Sequence, residues 1–155
     1  MARYSLTFSG FTTSTSLKTL FTLHADGAGE WFELQEVHLS GAGSVASADI
    51  MHRVIVQRLD TTTAGTATAQ TPGKFDPSSA DSKLIAMVNY TAEPGNYLLK
   101  ELLIGSFNQR GRWQWQQLKG SGIYVQNGIG GAKLGIRIVS SAAGAVDGTI
   151  VWEEA

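Results

Sequence analysis

Apolar residues along this chain recur at every second position over short runs, and no window of helical length carries an apolar stripe of period 3.6. In Arg3–Phe8, residues Tyr4, Leu6 and Phe8 share one face. In Leu84–Tyr90, residues Leu84, Ala86, Val88 and Tyr90 are expected inward, with Ile85 and Met87 outward. Arg112–Leu118 sets Trp113, Trp115 and Gln117 against Arg112, Gln114 and Gln116. Lys133–Ser140 turns Leu134, Ile136 and Ile138 inward, and Thr149–Glu154 does the same with Ile150 and Trp152. Each run predicts a strand with one buried face.

Other runs depart from plain alternation. In Glu30–Ser40, Phe32 and Leu34 have one parity, whereas Val37 and Leu39 have the other. A one-residue slip would turn every later side chain to the wrong face, so a β-bulge near Gln35–Glu36 is predicted. In Asp49–Asp60, Val54 and Val56 lie on one face and Met51, Ile55 and Leu59 on the other, which predicts a strand covered on both sides. Tyr97–Phe107 is strongly apolar; Gly105 and the Tyr97-Leu98-Leu99 run favour strand over a short helix. Leu17–His24 and Gly122–Gln126 are further candidates.

Turn signals separate these runs: Ala25–Gly29, the loop Gly41–Ser47, Thr91–Asn96, Asn127–Gly131 and Ser141–Gly148. The segment Thr61–Ser82 exceeds the usual ~12–15-residue limit for structureless loops, so it is functional or partly strand, with Thr66–Thr71 able to pair at an edge. Strands at 8–12-residue spacing, nine or ten in all, indicate an all-β antiparallel sandwich. Eight of them in two four-stranded sheets would make a jelly roll. No repeat or linker divides the 155 residues, so one domain is expected, with an N-terminal arm over residues 1–16.

Composition narrows the function classes. With no Cys, the chain has no disulfide, thiolate zinc site or thiol nucleophile. Its 12 basic and 13 acidic residues lack the basic excess of a nucleic-acid binder. No stretch approaches 18 apolar residues, so no membrane span is expected. MARYSLTFSGF has no apolar core of signal-peptide length, which points to synthesis in a cytoplasm without a leader. Charged residues are 16%, below the ~25% of ordinary domains, and leave much of the surface to uncharged Ser, Thr, Gly, Asn and Gln.

The candidates for chemistry are few. His24, His38 and His52 would need to converge to bind a metal; His38 and His52 fall on strands expected to be neighbours, but strand-face histidines are the simpler reading. There is no G-x-S-x-G elbow. Glu30, Glu33 and Glu36 suit solvated outer acids better than a glycosidase pair. NGIGGAK lacks the ending of a phosphate loop and precedes a strand. Neither a catalytic set nor a cofactor or metal site is expected. Trp113, Trp115 and Tyr124 are either core or a sugar-stacking or protein-binding platform. Arg110 and Arg112 flank Gly111 and could bind a carboxylate on another subunit.

The order of Glu36–Leu39 followed by SGAG, then DTTTAGTATAQTP, FDPSSA, NYTAEP, GSFNQR, the Trp-rich strand and GTIVWEE resembles small jelly-roll capsid decoration or cement proteins of tailed bacteriophages. These are turn and strand words, and the resemblance spans nearly the whole chain. It implies a structural protein of the virion surface, made in the host bacterial cytoplasm, that binds the major capsid protein as a homo-oligomer, a trimer before a dimer. Arg3, Tyr4, Phe11, Lys74, Phe75, Arg110, Arg112, Gln114 and Gln116 are the expected contact residues. The alternative is a carbohydrate-binding jelly-roll module of a tail or fibre.

Overall fold

The computed structural model describes residues 1–42, 49–60, 64–127 and 133–154. The loop expected over Gly41–Ser47, the start of the Thr61–Ser82 segment and the turn over Asn127–Gly131 lie largely outside the described residues. Twelve strands are described: β1 (Ala2–Thr12), β2 (Lys18–His24), β3 (Trp31–Gly41), β4 (Met51–Leu59), β5 (Thr66–Ala69), β6 (Gly73–Lys74), β7 (Ile85–Ala92), β8 (Tyr97–Asn108), β9 (Arg112–Gln116), β10 (Ile123–Gln126), β11 (Lys133–Ser140) and β12 (Ala145–Glu154).

All pairings are antiparallel. The first sheet runs β10-β3-β12-β1-β6, with β9 also paired to β3. The second runs β5-β7-β2-β11-β4-β8. Within them sit two four-strand blocks, β1-β12-β3-β9 and β2-β11-β4-β8. Successive strands of these blocks pass back and forth between the two sheets, except β4 and β8, which pair within the second sheet; this is the jelly-roll connection. The strand count exceeds the expected eight to ten because short strands flank the blocks. Of these, β5 and β6 form within the Thr61–Ser82 segment and extend one edge of each sheet.

Alternation explains the core. Leu6 and Tyr4 from β1, Ile150 and Trp152 from β12 and Phe32, Leu34, Val37 and Leu39 from β3 point inward from the first sheet. They meet Phe21, Leu23, Val54, Val56, Leu84, Ala86, Val88, Leu134, Ile136 and Ile138 from the second sheet and its approach. The parity change in β3 is a bulge: Val151 opposes Glu36 and Trp152 opposes Leu34, leaving Gln35 as the extra residue. That one residue lets Phe32, Leu34, Val37 and Leu39 all be buried.

Residues 1–16 are not a free arm. β1 lies inside the first sheet between β12 and β6, paired from Ala2 opposite Glu154 to Thr12 opposite Ala145. Composition favoured an arm because Thr, Ser and Gly fill the outward positions, while Tyr4 and Leu6 carry the burial. β4 is covered on its second face at Ile55 and Leu59, but Met51 is exposed.

Candidate functional site on the outer face of the first sheet

Each strand of the first sheet that buries alternate residues presents the others on the opposite face. On β9, Trp113 and Trp115 pair with Leu39 and Val37 and pack on the core. The Trp113 indole lies against Gly105 of β8, where a Cβ would collide with it. Both Trp residues are therefore half-buried inner groups, and Arg112, Gln114 and Gln116 are exposed on the outer face. The register sets them beside Ser40, His38 and Glu36 of β3. Those residues adjoin Asp147, Thr149 and Val151 of β12, which adjoin Ser5 and Thr7 of β1.

A depression of about 360 Å³ crosses this face over β1, β12, β3 and β9. Thr7 and Ser9, Asp147 and Thr149, His38 and Ser40, and Arg112 and Gln114 bring hydroxyl, amide and charged groups to it. Its acidic groups are held in place. Asp147 Oδ1 accepts the Gly10 N–H at 2.7 Å, where β1 bulges between Phe8 and Phe11. Glu36 accepts from the Arg3 guanidinium through Oε1 and lies 2.8 Å from His38 Nε2 through Oε2. Gln114 Nε2 donates to Gln116 Oε1 at 3.2 Å. The face is polar and pre-set, with little net charge.

The expected contact residues fall into four groups. Arg3, Arg112, Gln114 and Gln116 share this outer face. Lys74 and Phe75 lie at its margin, where the Arg3 guanidinium sits 5.0 Å over the Phe75 ring and Lys74 pairs with Asp81 at 2.7 Å. Phe11 is half-buried on the core, and Arg110 is already paired with Asp49 at 3.3 Å. Tyr4 is a correction: it is 2% exposed, stacks on Trp152 and donates its hydroxyl to the Ala80 carbonyl. A residue on the inner parity of a central strand has no surface to offer a partner.

The other chemical candidates disperse. Glu33 accepts the N–H groups of Gly120 and Gly122. Burial alone would raise its carboxyl, but these hydrogen bonds outweigh burial and hold it below the ordinary value. Glu30 accepts the Gly27 N–H, so the three glutamates serve three separate sites. His38 and His52 are not on neighbouring strands: β3 belongs to the first sheet and β4 to the second.

His52 does join a chain of the nucleophile–base type. Its Nδ1 is 2.6 Å from Ser140 Oγ, and its Nε2 contacts Gln109 Oε1. All three side chains are buried under 9% exposure, which leaves no approach for a substrate. Gln109 Nε2 also donates to the carbonyls of Ala42 and Ala145, so the FNQR segment ties the end of the sandwich together. The terminal WEE does the same elsewhere. Glu154 accepts from the Trp152 indole, the Ser82 hydroxyl and the Lys83 N–H, and Glu153 pairs with Lys119.

Two features went unread in the sequence. Trp31 and Tyr124 form an aromatic pair 5.7 Å apart, with Tyr124 47% exposed. On the second sheet, Arg137 sits 3.9 Å over the Tyr97 ring, whose hydroxyl is 2.7 Å from Thr19 Oγ1. Burial pushes the Tyr97 hydroxyl up to about 12. Among the described residues no group of three or more His, Cys, Asp or Glu side chains could hold a metal ion, and no helix is long and apolar enough to cross a membrane. Comparison with protein-family models, curated proteins and solved structures finds no match to this chain.

Proposed function

We propose that this chain is a virion structural protein that decorates the phage capsid, docking on the major capsid protein through the outer face of the first sheet. The observation that carries this reading is a polar depression lined by Arg112 and Gln114 on the same outer face that carries Arg3 and Gln116. The β-ladder fixes the backbone from which these side chains project, which lowers the ordering cost of association. Binding only the assembled lattice stabilises it by RT ln(1 + [L]/Kd) per site. A symmetric oligomer would repeat modest contacts and add them through effective concentration.

The test is co-sedimentation with purified capsids. Gln114→Trp and Arg112→Ala, both at exposed positions, should keep the melting temperature and weaken capsid binding at least tenfold. Capsids saturated by both variants at the parent concentration would overturn the docking face.

A carbohydrate-binding role is the second reading, favoured by the hydroxyl and amide lining of the depression and by the Trp31–Tyr124 pair. Trp113 and Trp115 supply no platform for it, because they pack inward. Saturable indole fluorescence changes on titration with host-surface glycans, absent on titration with capsids, would favour this role over the first.

A further inference from the structure

The strand register builds the depression on the outer face in two rows. In the first, Thr7 adjoins Thr149, Thr149 adjoins His38 and His38 adjoins Gln114. In the second, Asp147 adjoins Ser40 and Ser40 adjoins Arg112. Thr7, Thr149 and Ser40 are short and leave room above them, while longer side chains on the flanking positions line the sides.

Most acceptors of this face are in use, and several of its donors are not. Both oxygens of Glu36 are engaged, one by Arg3 and one by His38. Asp147 Oδ1 takes the Gly10 N–H, and Gln116 Oε1 takes one N–H of Gln114. The neighbouring cations are also matched: Arg3 with Glu36, Lys74 with Asp81 and Lys119 with Glu153. Arg112 differs. Among the described residues neither an ion pair nor a hydrogen bond engages its guanidinium, and no hydrogen bond engages the hydroxyl of Ser40 beside it. Gln114, two residues along the same strand face, keeps its second amide N–H.

An unmatched guanidinium flanked by a hydroxyl and an amide donor suits a planar, singly charged acceptor. A carboxylate takes two parallel N–H bonds from the fork of Arg112 and has lone pairs left for Ser40 and Gln114. A phosphate, with a charge of about −2, is a poorer match for one cation that has Asp147 on the far side of Ser40.

We propose that Arg112, with Ser40 and Gln114, is a carboxylate-binding site that takes an Asp or Glu side chain from an acidic segment of the major capsid protein. The identity of that partner rests on the capsid reading; the carboxylate chemistry rests on the site.

The test has two arms. In the first, nitrogen-15-labelled protein is titrated with an acetylated, amidated Glu-Glu dipeptide, with the Gln-Gln dipeptide and with inorganic phosphate. The Arg112 Nε–H and Gln114 side-chain amide resonances should shift saturably with Glu-Glu, at roughly millimolar affinity, and far less with the other two. Arg112→Gln should abolish the response, and Arg112→Lys, which keeps the charge without the fork, should weaken it severalfold. Equal shifts with Gln-Gln or phosphate, or a response that survives Arg112→Gln, would overturn the site. In the second arm, Glu-Glu should compete with capsids for the parent protein, and Arg112→Gln should lower capsid binding roughly tenfold. Capsid binding that ignores both overturns the inference and leaves the docking reading standing. A parent protein that binds Glu-Glu but no capsid overturns the capsid partner and leaves the carboxylate site standing.

Discussion

His52 carries an imidazole into a place where its ring lies 4.9 Å from that of Phe107 and both nitrogens face fixed partners. Burial lowers its pKa from the ordinary 6.5, more than the Gln109 hydrogen bond raises it. Above pH 6.5 the ring is neutral in both folded and unfolded chains and adds no pH dependence. Below that, the unfolded chain takes the proton first, so stability falls as pH drops from about 6.5 to the lowered folded value and levels off beneath it. His24 shifts in the same direction, mainly by burial. A melting temperature that is flat from pH 8 to 7 and declines through pH 6 is expected, and an unchanged melting temperature down to pH 5 would contradict it. His52→Ala should cost about 1–3 kcal/mol at neutral pH by stranding Ser140 Oγ and Gln109 Oε1 in the interior, and should remove part of that decline.

At the scale of the element, β1 bears most on what can be changed. It pairs with β12 along its length and buries Tyr4 and Leu6 at 2% and 1% exposure. Deleting residues 2–12 would uncover the side of β12 and open the core beneath. The expected result is loss of the cooperative melt and of the β-sheet circular dichroism, rather than a folded domain lacking only a contact. A truncated chain with a sharp melt would count against this. The strand faces were legible in the sequence wherever one face is buried. Leu84, Ala86, Val88 and Tyr90 alternate as they pack, and the parity change between Leu34 and Val37 marks the Gln35 bulge. Sheet membership was not legible. His38 and His52 sit on consecutive long strands, yet β3 and β4 belong to opposite sheets, and β3 pairs with β12, far from it in sequence. The outer face of the first sheet was half legible for the same reason. Arg112, Gln114 and Gln116 follow from the alternation of β9, whereas Thr149 and Asp147 follow from the inward parity of Ile150 only once β12 is known to neighbour β3. Tyr4 was misjudged because its polar neighbours suggested a flexible tail.

Across the whole molecule, acidic and basic groups nearly cancel, with 12 Lys and Arg against 13 Asp and Glu, and on the proposed docking face Arg3 and Arg112 stand against Glu36 and Asp147. Long-range steering is then weak, and the association rate with capsids should change by less than about threefold between low and high salt. A tenfold or greater fall with salt would show that charge guides the encounter. The placement of β12 has a consequence for how the fold is reached. It lies between β1 and β3 and pairs with both, so the first sheet has a gap at its centre until residues 145–154 arrive. A chain emerging from the ribosome must hold β1 and β3 apart, each with an open side, while more than a hundred intervening residues are made. Closing that gap needs contacts between the most distant parts of the chain, which makes a slow final step of folding. During that interval the unfilled groove is the place where a chaperone, or a strand from another molecule, competes with the protein's own last strand.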